Sequence, residues 1–440
     1  MRVGLWMFAP LMCPGGDVLG SQEDPQELLL KVRRNVMETV ERLPKYMCTE
    51  MIDRSRFRTD FNRHLAGCDE PVTGTFKPAL HLVSSDRLRL DVAISPLREI
   101  YSWAGANRFD DRDLLDIVTE GAVSTGEFGG YLSSLFGTDE ATFTYNGDTK
   151  DEKGRVVAEF GFRVPPEKSQ NEFGNRKFRT ITGYDGVVAI DTETAQLLRL
   201  IVRTTQLPEE TSACNATTTL DYGRVEMNGY RFLLPSEARL RLTMRNGNEN
   251  ENRAVYSGCH EFRSESTVNF DPPLNSGGSE QRSPPIPAVL TAPNLRGGLP
   301  FRLKLAQDID PRTAAAGDPI LAVSASSIGS EKTGDRIPAG SAIYGRIVRV
   351  QHNFGKQPSI TVAIRLESVE WQGQTRPFGG RGKPPVQRFN AGSVSFTRQR
   401  VELGSLDSMQ SGTGQLFQMN AKENFVFRKG TEMEWLTVTR

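Results

Sequence analysis

Four cysteines, Cys48, Cys68, Cys214 and Cys259, are the residues of this chain whose type and number point most directly to chemistry. An even set fits two disulfides formed in an oxidising compartment, where such bridges persist. Four cysteines permit three pairings. Bridges between neighbouring segments, Cys48 with Cys68 and Cys214 with Cys259, are the expected ones, and closing the shorter loop contributes about 3 kcal/mol. His64 stands shortly before Cys68, and His260 directly follows Cys259, so a Cys/His zinc site is a competing reading. Neither half has the close paired spacing of structural zinc ligands, and no metal is expected. Asp185, Asp191 and Glu193 lie in one stretch and would be the paired acids of a hydrolase. Acids at a hairpin tip bond their own backbone and solvate the turn, which accounts for them without catalysis. The sequence holds no nucleophile elbow, Walker loop, HExxH, CxxC or Rossmann glycine pattern. No catalytic residue and no cofactor is therefore expected, and the chain reads as a non-enzyme.

The framework that must hold these residues is read from hydrophobic period. Leu28, Leu29, Val32, Val36, Val40 and Leu43 recur at three- and four-residue steps after Asp24-Pro25 and before Pro44, which predicts one amphipathic helix with an Asp cap. Beyond it the period changes to two, and successive strands with turn residues between them are predicted as far as about residue 270. One segment breaks the alternation. From Asp113 to Phe136 the spacing is helical but interrupted by Gly121, Gly126, Gly129 and Gly130, as in a mobile helical lid over a sheet. Its apolar side chains, Leu114, Leu115, Ile117, Val118, Phe128, Tyr131, Leu132, Leu135 and Phe136, are the candidate ligand-binding residues, either gating a cavity or plugging it as core.

Residues 271–298 are crowded with Pro, Gly and Ser and read as a linker. Three parts follow: a candidate signal peptide over 1–20, a domain over 21–270, and a second, cysteine-free β domain over 299–440. The start, Met1-Arg2 followed by an apolar run, has the order of an export signal. Cys13 within it allows an alternative, an acylated outer-membrane lipoprotein. No stretch has the ~18 to 20 uninterrupted apolar residues that span a bilayer as a helix. Lys plus Arg number 54, as do Asp plus Glu, and a formal net charge of zero removes a global electrostatic case for nucleic acid. A local exception is Arg376, Arg381, Lys383, Arg388, Arg398 and Arg400, a basic loop suited to anionic head groups or to simple solvation.

The rhythm GYDGVVAIDTETAQLLRLIV, with its turn at Asp191, then LDYGRVEMNGYRFLLPSEARL, with its Asn228-Gly229 turn and Pro235, resembles the half-barrel of periplasmic lipoprotein carriers. That resemblance implies a concave apolar surface able to take acyl chains. In the second domain, Gly317-Asp318 before one strand and Pro338-Ala339-Gly340 before another are similar to small β-barrel modules of bacterial envelope and conjugation secretion machinery. The fold expected is mainly β (α+β): an antiparallel half-barrel with one N-terminal helix and a helical lid, followed by a small β-barrel. The function expected is non-catalytic binding in the periplasm or outside the cell, of a lipid or other apolar ligand by the first domain and of an envelope protein partner by the second. A structural or secretion-apparatus scaffold without ligand is the alternative, and a hydrolase a third.

Overall fold

The computed structural model describes residues 24–59, 79–95, 98–106, 109, 114–118, 121–175, 177–261, 291–330, 332, 334–382, 414–421 and 425–438. The candidate signal with Cys13, and also His64, Cys68, residues 271–290, Lys383, Arg388, Arg398 and Arg400, lie outside the described residues.

Helix α1 spans Pro25–Arg42, and the Asp24 carboxylate accepts the Gln26 N–H at its start, as the Asp-Pro pair predicts. Leu28, Val32 and Val36 are its buried stripe. Strands β1 (Tyr46–Thr59), β2 (Leu80–Ser95) and β3 (Arg98–Trp103) follow, then the short helices α2 (Leu114–Ile117) and α3 (Gly130–Phe136). Next come β4 (Thr142–Lys150), β5 (Val156–Val164), the small hairpin β6 (Glu172–Gly174) and β7 (Arg179–Ile181), β8 (Tyr184–Asp191), β9 (Gln196–Thr204), β10 (Ala213–Met227), β11 (Tyr230–Met244) and β12 (Glu249–Glu261). Their pairing order is β3, β2, β1, β12, β11, β10, β9, β8, β5, β4, antiparallel throughout. The fold is mainly β with a few helices, and its sheet is open.

One face of this sheet is apolar and is covered by α1, α2 and α3, which share a single core with the strands. The other face explains the many arginines in the strands. Arg203 with Asp185, Arg253 with Glu237 and Arg87 with Asp53 form outward ion pairs of 2.6 to 2.7 Å. Exposed pairs of this kind contribute at most about 1 kcal/mol each and mainly keep the face soluble.

The second unit consists of β13 (Pro300–Leu305), β14 (Pro319–Ser324), the two-residue strands β15 (Ile328–Gly329) and β16 (Arg336–Ile337), β17 (Ala342–Asn353), β18 (Ser359–Trp371), β19 (Gln374–Pro377), β20 (Gly380–Gly382), β21 (Gln415–Asn420) and β22 (Glu432–Thr437). The ladder runs β21, β18, β17, β14, β13, β22, β20 around a separate core centred on Trp435, Phe427 and Ile343. Among the described residues this ladder does not close into a barrel. Between its two ends, among the described residues, the Gly382 N–H donates to the Gly414 carbonyl at 2.8 Å. Residues 291–298 pack on this unit: Leu295 is buried in its core and the Gly298 N–H donates to the Thr437 carbonyl.

The two units meet edge to edge. Gln351, His352 and Asn353 of β17 pair with Asp86, Ser85 and Ser84 of β2, so one continuous sheet runs through both. Buried Arg346 donates to the carbonyls of Ala104 and Gly317, and Arg89 pairs with Asp318 at 2.6 Å. Gly317 is the tightest point. Its φ is +111°, and a Cβ there would lie 2.0 Å from the Arg89 carbonyl oxygen. Gly317-Asp318 is thus a contact between the units as well as a turn before β14. Gly317→Ala is expected to cost about 3 kcal/mol through backbone strain and displacement of this junction. A denaturant midpoint within error of the parent protein would refute that.

Candidate functional site

The lid is held to the sheet by polar contacts at several points of its backbone. Glu99 on β3 accepts the N–H groups of Gly126 and Phe128 at 2.7 and 3.0 Å, and the Tyr101 hydroxyl at 2.8 Å. Asn252 on β12 donates to the Ala122 carbonyl at 2.8 Å, and the Ser134 and Tyr184 hydroxyls lie 2.6 Å apart. From the other side, Arg33 of α1 donates to the Phe136 carbonyl at 2.7 Å. Positive φ at Gly121 and Gly126 lets the chain turn between α2 and α3, so the helical spacing yields two short helices instead of one.

Of the nine apolar lid residues, Leu114, Ile117, Val118, Phe128, Leu132, Leu135 and Phe136 are buried in the core, whereas Leu115 and Tyr131 are half-buried. They converge on the apolar face of the sheet and fill it. Phe128 stands edge-on to Tyr256 and Tyr46, with ring centres 4.7 and 6.2 Å away. A cavity of about 280 Å³ lies elsewhere, between α1 and the β8–β9 and β10–β11 turns, with Glu38, Arg224 and Arg231 on its walls. None of the lid residues lines it.

Beneath the lid is a group of residues that hydrophobic patterning did not single out. Glu50 of β1 faces inward at 3% exposure, directly opposite Tyr256 of β12. Glu127, beside Phe128 in the lid, is 2% exposed. Together with Glu99 they place three carboxyl groups near one another, with Tyr46, Tyr101, Tyr131, Tyr222 and Tyr256 around them. Desolvation first, then the charges of Glu127 and Glu99, push the Glu50 carboxyl well above its ordinary range, opposed by the nearby Tyr256 hydroxyl. Desolvation and Glu99 push Glu127 up to about 7. Burial also raises all five phenols. The hydroxyls of Tyr46 and Tyr222 and one oxygen each of Glu50 and Glu127 are buried with no hydrogen-bond partner among the described residues. Unpartnered buried polar atoms are costly, so a set of them in one place makes this cluster the candidate functional site.

The cysteines correct the expected pairing. Cys48 on β1 is bonded to Cys259 on β12, with Cα atoms 4.1 Å apart. Cys48–Cys68 and Cys214–Cys259 are therefore both excluded. Cys214 lies beside Thr243 of β11, and Thr243 pairs with Glu249 at the start of β12, whereas Cys259 lies near that strand's far end. At about 3.3 Å per residue the two cysteines are roughly 30 Å apart, far beyond disulfide reach. Cys214 is disulfide-bonded too. Asp191 takes the turn role expected of it, accepting the N–H groups of Glu193 and Thr194 at 3.0 Å, and Asp185 pairs with Arg203. Asn228 and Gly229, both at positive φ, form the tip between β10 and β11. Of the basic loop, Arg376 lies 5.0 Å over the Trp371 ring, and Arg381 is in β20. Among the described residues no group of three His, Cys, Asp or Glu is placed to hold a metal ion, and no helix is long and apolar enough to cross a membrane.

No protein-family model and no curated protein matches the chain. Among solved structures, the crystal structure of a DUF1329 family protein from Desulfovibrio piger aligns with 56% of this chain and 98% of that one, at 10% identity and a TM-score of 0.28. A likeness of that degree carries no argument about this chain.

Proposed function

We propose that this is an exported, non-catalytic binding protein of the bacterial cell envelope, whose first unit takes an apolar or lipid-like ligand under its lid and whose second unit meets an envelope partner. The observation that carries the reading is the lid itself. Its apolar side chains occupy the face that the carrier resemblance assigns to acyl chains, while its backbone is gripped by Glu99 and Asn252 through bonds that can break and re-form. Its glycine joints at Gly121 and Gly126 give a short segment of this kind places to hinge, as lids do. The Cys48–Cys259 bridge supports an oxidising compartment. Lifting the lid would expose Phe128, Leu132, Leu135 and Phe136 and free the apolar sheet face for a chain of similar bulk.

The test is native mass spectrometry of protein isolated from the envelope, followed by titration of the delipidated protein with the uncharged apolar fluorophore N-phenyl-1-naphthylamine. Co-purified apolar ligand and saturable uptake are expected. Phe128→Ala and Phe136→Ala, each leaving room where a ring had been, should strengthen uptake severalfold while costing about 3 to 5 kcal/mol of stability. No uptake by the parent protein or by either folded variant removes the ligand. The scaffold reading, in which the lid is permanent core, would then stand, supported by a reproducible stoichiometric protein partner.

A further inference from the structure

We infer that the acid and tyrosine cluster beneath the lid is the seat of a cationic head group, so that the ligand is an amphiphile bearing an ammonium or similar organic cation; this rests on the proposed lidded binding site. The cluster draws on several elements: Tyr46 and Glu50 from β1, Glu99 and Tyr101 from β3, Tyr222 from β10, Tyr256 from β12, and Glu127 and Tyr131 from the lid. Among the described residues, no basic group bears on the charge of Glu50 or Glu127. Arg54 and Arg56, further along the inner side of β1, lie beside Gly121, and Arg54 is occupied by Asp86 at 2.6 Å.

Three observations favour a cation over other occupants. Carboxyl groups that raise one another's proton affinity are relieved by a positive charge placed among them, whereas an anion would add to the repulsion. The hydroxyls of Tyr46, 1% exposed, and Tyr222, 8% exposed, have no partner among the described residues and lie within the electrostatic reach of Glu99, so the cluster has hydrogen-bonding capacity for a polar guest. Finally, the rings of Tyr46, Tyr256 and Phe128 are gathered at this point, and aromatic faces attract organic cations. Among the described residues the carboxyl groups are not placed to hold a metal ion, and it is the surrounding aromatic rings that fit an organic cation. The apolar lid residues next to the cluster, Leu132, Leu135 and Phe136, mark where the attached chain would lie.

Binding should release protons, because a cation stabilises the ionised carboxylates. The test uses the full mature protein and three soluble amphiphiles with the same tail: dodecylammonium, dodecanoate and dodecyl maltoside. Calorimetry should give an affinity for dodecylammonium at least about tenfold above that for dodecanoate, and an apparent enthalpy that varies with the ionisation enthalpy of the buffer. Glu50→Gln and Glu127→Gln should each weaken dodecylammonium about tenfold and leave dodecyl maltoside unchanged. The comparison among ligands is made on the parent protein, so it survives a variant that does not fold. Equal binding of dodecanoate and dodecylammonium, without proton release, overturns the cationic head group while leaving the apolar site intact. If none of the three binds, the lidded site falls and this inference with it.

Discussion

Replacing both cysteines, C48S with C259S, is expected to lower the stability of the first unit by about 5 kcal/mol, the largest effect of any substitution proposed for this chain. The bridge spans 211 residues and joins β1 to β12, the first and last strands of the unit in chain order and neighbours in its sheet, so the closed loop contains every other strand of the unit and the lid. In the chain-entropy description a closed loop of that length removes much of the freedom of the unfolded chain, and the folded state is stabilised by comparison. The double serine variant is the right instrument, because reducing the parent protein would also open the bridge at Cys214. A denaturant midpoint, compared at equal slope, checks the number. A loss below about 1 kcal/mol would mean that the β1–β12 ladder, with its long antiparallel register, already holds the ends together in the unfolded ensemble.

Stability should fall as pH rises from about 4.5 to about 7, and Glu127→Gln should remove much of that fall. Glu127 ionises near 4.5 when the chain is unfolded and at about 7 in the fold. Between those values the folded protein holds a proton that the unfolded chain has lost, so folding is favoured at the acid end and that advantage is gone above about pH 7. The difference corresponds to about 3 kcal/mol from this group, and Glu50, shifted in the same direction, adds to it. Exposed carboxylates held low by arginines, such as Asp310, act oppositely at lower pH, so the quantity to compare is parent minus variant across the series. If the variant shows the parent's slope, Glu127 is not the group that titrates. Hydrogen exchange offers an independent view: after correction for the base-catalysed intrinsic rate, protection of the lid amides at Gly126 and Phe128, bonded to Glu99, should fall above pH 7 in the parent and less so in Glu127→Gln, as ionisation of Glu127 loosens the lid.

The lid and the acids show how differently two parts of one site are written in a sequence. The lid was legible because Leu114, Ile117, Phe128 and Leu132 repeat with a helical period and are broken by glycines, a local signal. Seven of its nine apolar residues are core in the folded chain. Glu50 carries no such signal. In YMCTEMIDRSRF the inward set is Tyr46, Cys48, Glu50, Ile52 and Arg54, and the outward set includes Met47 and Met51, so hydrophobic alternation does not say which face is buried. Glu99 and Glu127 look like ordinary surface acids until β3 and the lid are brought over β1. Tyr46 and Glu50 share the inward face of β1, but Tyr256 meets Glu50 only once β12 pairs with β1, so no local pattern announced the cluster.

By itself the sequence determined a mainly β chain with one capped N-terminal helix, a glycine-jointed lid and turns at Asp191 and Asn228-Gly229, because each depends on residues within one turn or one hairpin. Tertiary structure alone decided that Cys48 meets Cys259, that β17 continues the sheet through β2, and that Glu50 and Glu127 are buried beside Glu99. These depend on which strands become neighbours across hundreds of residues, and pairing at that range is set by the global fit of two cores and one sheet, which no local period encodes.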